Sequence, residues 1–340
     1  MKKLTFTLVF IIILAVLFYP SENNNGTEND SQNDSIDSSG ECFEGEYYDD
    51  EVDVCILECN QDQDCDINSN EFFKVLEEEQ SEAIEEEILE EEKVLREYVI
   101  NNDSIVGEIA DRRDSEAWDL FVELFPEEYT EYVSGYQIIS DGVGGTLALV
   151  EQNPDDIAEW ILAVDLDDVY NIKGEMNKYD FSFTLIHEFA HVLTLNDEEI
   201  KPDSDLFLSN EDEYGDVYSN KELDCDSFFT MEGCSYNDSY INEFYSDFWS
   251  DVYPEFEDIQ YIEDEDEYIF ALEDFYTKYE DRFVNEYAST NVGEDIAESF
   301  AYFIIEDEPS IEKVSFFYEY NDLVRLRDII RANLSVVINE

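Results

Sequence analysis

Residues 184–196, TLIHEFAHVLTLN, would be apolar on nearly every side as a helix, through Leu185, Ile186, Phe189, Val192 and Leu193. A helix of that kind must be wrapped by other elements, so the rest of the fold has to be built around it. The same stretch holds the only two histidines of a 340-residue chain, His187 and His191. One helical turn apart, both imidazoles face the same way and can bind one metal ion. Glu188 projects beside them, where a carboxylate can take a proton from water. Two imidazoles in an apolar helix need a partner, which the fold must bring in from elsewhere.

The surroundings narrow what that partner is. The start, MKKLTFTLVFIIILAVLFYP, has two lysines and then an apolar run from Leu4 to Tyr19, the pattern of a secretory signal over residues 1–20. Phe18, Tyr19 and Pro20 crowd the junction where small residues favour cleavage, so residues 4–19 also fit an uncleaved membrane anchor. Residues 21–40 are small, polar and free of aromatics, and read as a flexible linker. The expected location is extracellular, either secreted or tethered to the outer face of the cytoplasmic membrane. Six cysteines, an even number in an exported chain, then read as disulfides. Four of them lie in residues 41–70, predicted to be a stapled knot with a zinc knuckle as the alternative, and Cys225 and Cys234 are expected to close a short loop. DQDCDINSNE lacks both the glycine and the final glutamate of a calcium loop.

A catalytic zinc site needs three protein ligands and an open position. With histidine exhausted and cysteine paired, the third ligand is expected to be a carboxylate. Asp197 lies six residues after His191, where a longer motif has its third ligand, but that motif needs glycine where this chain has Thr194. Glu294 and Glu298 are better placed. They are four apart in NEYASTNVGEDIAESFAYFI (285–304), with Ala297 and Ala301 on their face, so that face can lie close against the backbone at Ala190. Ile296, Phe300 and Phe303 would anchor this second helix in the core.

These residues carry a resemblance. YASTNVGEDIAESF resembles the second zinc motif of the lethal-factor-like peptidases, which are gluzincins, with a tyrosine ahead of a TN turn and an acid-rich helix. The resemblance implies Zn²⁺ held by His187, His191 and Glu294, with Glu188 as general base. It also implies Glu298 orienting a histidine ligand, and Tyr287 stabilising the oxyanion or assisting the leaving group. Some secreted bacterial metallopeptidases look similar from GYQIIS to the C-terminus. The match is tight over 184–196 and 287–303 only, and the stretch between His191 and Glu294 is longer than in the lethal-factor type and carries the Cys225–Cys234 loop.

Around these motifs, Gly-free residues 71–98 are predicted as an acidic helix, with Ile84, Ile88, Leu95 and Tyr98 on one side. SEAWDLFVELF reads as another helix, and GYQIIS, GTLALVEQ and EWILAVDL as an antiparallel sheet. SYINEFYSDFWSDVY, EYIFALEDFYTKYEDRFVNEY, VGEDIAESFAYFII and DLVRLRDIIRANLSVVI read as helices. The fold class is therefore α+β: a zincin-like domain over 99–340, with a small antiparallel or mixed sheet first and helices after, preceded by the disulfide-rich segment. EWILAVDL is expected to be the cleft edge on which an extended peptide adds.

Ninety acidic against 17 basic residues give a net charge of −73, which argues against nucleic acid as a partner. It fits adaptation to concentrated salt or divalent cations. The expected partner is a peptide or protein substrate. A competing reading is a non-catalytic acidic extracellular binding protein with a structural or degenerate zinc site, and another is hydrolysis of a non-peptide amide. Glu188 separates the first from an enzyme, because a structural site has no use for a general base.

Overall fold

The computed structural model describes residues 46–49, 54–57, 93–142, 145–262 and 264–339. The chain divides into a unit of residues 20–89 and a unit that contains residues 90–340. In the smaller unit, β1 (Glu46–Asp49) pairs antiparallel with β2 (Val54–Leu57), setting Tyr48 opposite Cys55. The signal, the linker, the rest of the expected knot and residues 71–92 of the expected helix lie outside the described residues. Among the described residues no helix is long and apolar enough to cross a membrane.

The larger unit is α+β and begins with a correction. Residues 93–98 are not the end of a helix but part of β3 (Lys93–Asn101). Placing a domain boundary at 99 would cut this strand. Tertiary partners override the helical propensity of the glutamate-rich stretch: the Arg96 guanidinium donates to both Asp114 oxygens at 2.7 and 2.8 Å, and Tyr98 donates to the same carboxylate. Asp114 is fully buried, and a buried carboxylate needs several donors. Alternate residues of β3 supply them, which only a strand permits.

The sheet runs β4–β3–β5–β7–β6, with β4 Ser104–Val106, β5 Val133–Ser140, β6 Ala148–Asn153 and β7 Asp156–Asp165. It is mixed rather than antiparallel, because β5 and β7 run parallel. EWILAVDL is not the edge either. Trp160 to Asp165 are all buried in sequence, so β7 is apolar on both faces and sits between β5 and β6. The edges are β4 and β6, and β6 packs beside the histidine helix.

Among the described residues this unit has eight longer helices. They are α1 (Arg112–Leu124), the histidine helix α2 (Lys178–Leu195), α3 (Glu211–Glu222), α4 (Tyr240–Phe248), α5 (Tyr253–Gln260), α6 (Glu265–Tyr279), α7 (Val292–Ile305) and α8 (Asn321–Asn339). Thirteen of the 18 residues of α2 are buried, as befits a helix enclosed by other elements. The helix expected to run through EYIFALEDFYTKYEDRFVNEY stops at Tyr279, where the chain turns inward so that Phe283 is buried and Arg282 pairs with Asp251. Tyr287 therefore lies on a short 3-10 turn, Tyr287–Ser289. After α2, β8 (Ile200–Pro202) pairs with β9 (Gly233–Ser235), and Cys225 is disulfide-bonded to Cys234.

Candidate metal centre

Helix α7 is started by its own sequence. Asn291 is the N-cap, extended in backbone, and its side chain accepts the N–H of Glu294 at 3.0 Å. That cap places Glu294 in the first turn and Glu298 one turn on, on the face that packs against α2. Ala190, Ala297 and Ala301 are fully buried, consistent with close approach of the two helices.

The approach brings three donor atoms together. His187 Nε2 is 3.0 Å from His191 Nε2 and 3.0 Å from Glu294 Oε2, and His191 Nε2 is 3.4 Å from the same oxygen. Ligand atoms about 2.0–2.1 Å from a tetrahedral ion are about 3.3–3.4 Å apart, so the triangle comes within a few tenths of an ångström of the size a zinc ion requires. On its other side, His187 Nδ1 donates to Glu298 Oε1 at 2.7 Å, which directs the Nε2 lone pair at the other two donors. Two imidazole lone pairs and a carboxylate facing one point repel unless a cation sits among them. Burial opposes charge on His187, but the hydrogen bonds to Glu294 and Glu298 outweigh it and raise its pKa well above the usual imidazole range. Burial likewise opposes charge on Glu294, and His191 and His187 nonetheless hold it well below the carboxylate range. The residues present fit a divalent ion.

No protein-family model, curated protein or solved structure matches this chain.

Around the three donors stand the groups that could use an ion. Glu188 is buried, and its carboxyl is pushed up to about 6 by that burial. The Tyr287 ring lies 5.7 Å from that of His187, and burial together with Glu294 and Glu188 raises its phenol well above the ordinary range. A pocket of about 20 Å³ opens between Thr146, Ala148, His187, Glu188 and Tyr287, roughly the room one water needs. Asp197 is exposed, and it is absent from the group of side chains able to share an ion.

The sequence reading gave no role to Asn285. Its Nδ2 donates to Glu298 Oε2 at 2.6 Å, and its Oδ1 accepts the N–H of Ala288 at 2.9 Å, inside the turn that carries Tyr287. It therefore holds Glu298 against His187 and positions the tyrosine turn at the same time. The only sequence sign was its place two residues before Tyr287. Replacing Asn285 with alanine is expected to weaken zinc binding by about 10- to 100-fold, measured by chelator competition. An affinity within about twofold of wild type would mean that Asn285 merely braces the turn.

A second acidic group, Asp141, Asp165 and Asp168, follows β5 and β7. Burial and the neighbouring carboxylates push Asp168 up to about 7. Asp165 accepts the N–H groups of Asp141 and Asp167, and Asp141 that of Thr146, so this group braces the loop behind the site.

Proposed function

We propose that the chain is a zinc-dependent endopeptidase of gluzincin type, acting on peptide or protein substrates outside the cell. The observation that carries the reading is the convergence of His187 Nε2, His191 Nε2 and Glu294 Oε2 on one point beside a buried Glu188. The motif resemblance to lethal-factor-like peptidases supports the same assignment, and with it a zincin-like fold. Zinc, when bound, supplies a Lewis acid for the scissile carbonyl and lowers the pKa of water.

The chain's own residues do the rest. Glu188, held near 6 by burial, takes the proton of the attacking water and passes it to the leaving amine. Tyr287 stays protonated and donates to the developing oxyanion. Glu298, itself held by Asn285, fixes the ring of His187 and the tautomer that leaves Nε2 free. The free edge of β6 borders the cleft. An extended peptide would add along it by main-chain hydrogen bonds.

The test is metal analysis of protein purified in high salt, together with digestion of a mixed peptide library with and without chelator. Stoichiometric zinc and chelator-sensitive cleavage are expected, with Glu294→Ala losing at least about tenfold in zinc affinity. Absence of zinc, cleavage that survives the chelator, or undiminished zinc in Glu294→Ala would sink the reading.

A further inference from the structure

We propose that the Thr146 and Thr184 hydroxyls form a specificity subsite that seats a serine side chain beside the bond to be cleaved and turns larger residues away. The inference rests on the peptidase reading above and adds to it two side chains to which that reading gives no part.

Among the described residues five threonines are buried: Thr130, Thr146, Thr184, Thr194 and Thr230. Three of them use the hydroxyl inside the protein. Thr130 donates to Asp103 Oδ1 at 2.7 Å, Thr194 to the Ala190 carbonyl at 2.8 Å and Thr230 to the Gly233 carbonyl at 3.0 Å. Thr146 and Thr184 are 5% and 9% exposed, and among the described residues neither hydroxyl has a partner. Buried hydroxyls are as a rule hydrogen-bonded, so these two point to a group that comes from outside the protein. Both open onto one pocket, which His187, Glu188 and Tyr287 also border.

Local structure holds both in place. Thr184 lies one turn before His187 and Glu188 on α2, and helical side chains lean toward the N-terminus, so those two reach back over the turn that carries it. On the same helix Thr194 bonds back to the carbonyl four residues earlier, whereas Thr184 leaves its hydroxyl for the pocket. Thr146 leads into β6 with its N–H on Asp141 Oδ2 at 3.0 Å, and the next carbonyl, that of Leu147, accepts the N–H of Asp165 at 3.0 Å. One hydroxyl is thus fixed by the braced loop and the other by a buried helix, as recognition groups require.

The size and lining of the pocket decide what fits. Its volume of about 20 Å³ suits one water-sized group. Ala148 and Phe183 wall it with carbon, and the Phe183 ring stands edge-on to Tyr302 of α7, centroids 6.1 Å apart. A hydroxymethyl side chain fills such a space and, being donor and acceptor at once, can pair with both threonines. Alanine would leave the two hydroxyls unpaired, and leucine would have to displace the walls. An acidic side chain would meet Glu188 and Glu298, which border the same pocket.

The experiment digests a mixed peptide library with the full chain, zinc-loaded in high salt, and reads the residues on either side of each cut by mass spectrometry. Internally quenched peptides with Ser, Ala or Leu at the enriched position then give kcat/KM. The hydroxamates of Ser, Ala and Leu, which anchor on the metal, give equilibrium binding without turnover. Serine is expected to exceed alanine by about tenfold in kcat/KM, mainly through KM, and leucine to fall about tenfold or more below alanine. In Thr146→Val/Thr184→Val the serine preference should vanish while alanine peptides are cleaved within about twofold of wild type. Thr184→Ser keeps a hydroxyl and should keep the preference, and Phe183→Ala should admit leucine. Cuts without serine enrichment on either side, equal kcat/KM for Ser and Ala in wild type, or a serine preference that survives the double valine variant overturns the proposal and leaves the peptidase reading standing. If the library is not cut, the peptidase reading fails and the hydroxamates decide. Tighter binding of the serine compound that depends on the two threonines upholds the subsite, and its absence ends it.

Discussion

Glu188→Gln is expected to lower kcat by about 10²- to 10⁴-fold on every peptide the protein cleaves, with zinc content unchanged. The amide is nearly isosteric and can still occupy the buried position, but it cannot take a proton from water. The carboxyl is well suited to the task, because burial pushes it up to about 6, close to the pH at which a general base works best. Retention of full activity by Glu188→Gln would remove the proposed mechanism. Loss of zinc along with activity would instead assign Glu188 to the ion, and parallel metal analysis separates the two outcomes.

The second large effect is on stability. Next to the proposed ligand Glu294, Asp295 is fully buried, accepts Trp249 Nε1–H at 2.7 Å and pairs with Lys313, which is itself buried and lies 3.7 Å from the centroid of the Phe283 ring. Burial pushes Asp295 up to about 6 and Lys313 down, although each is the other's main support. Lys313→Met removes the cation and strands a carboxylate among aromatic rings. The expected loss is about 3–5 kcal/mol, the range for breaking one side of a buried pair. In a domain of this size that lowers Tm by roughly 6–20 °C. Urea unfolding in high salt measures it, and the double variant Lys313→Met/Asp295→Leu should recover more than half, since an apolar pair leaves no unmatched charge. A loss below about 1 kcal/mol would show that the pair is merely tolerated. Because Asp295 and Glu294 are neighbours on α7, the pair also sets how firmly the third donor is held.

Legibility followed the range of the interactions. Helix α2 was readable because its apolar surround and its histidine spacing are local, and α7 because its small-residue face lies within a few residues of the acids it carries, whereas its Asn291 cap was not read. β3 was misread because the glutamate-rich stretch running into it favours a helix locally, while the group that makes it a strand, Asp114 above all, lies 18 residues from Arg96. The place of β7 between two strands was signalled by its unbroken apolar run, whereas the identity of the edge strand depended on pairing order. Asn285 left almost no trace, since its partner Glu298 is 13 residues away.

By itself, the sequence determined the chemistry on offer: two imidazoles one turn apart, a glutamate between them, no third histidine, and an acid-bearing helix a hundred residues on. Only the tertiary structure decided which acid meets which nitrogen, because Glu294 and Glu298 share a helix face and a sequence period. Packing α7 against α2 puts Glu294 at Nε2 of His187 and Glu298 at Nδ1, across 107 and 111 residues of chain. Periodicity says which side chains share a face, but the distance between faces is set by the small residues and buried charges that hold the two helices together.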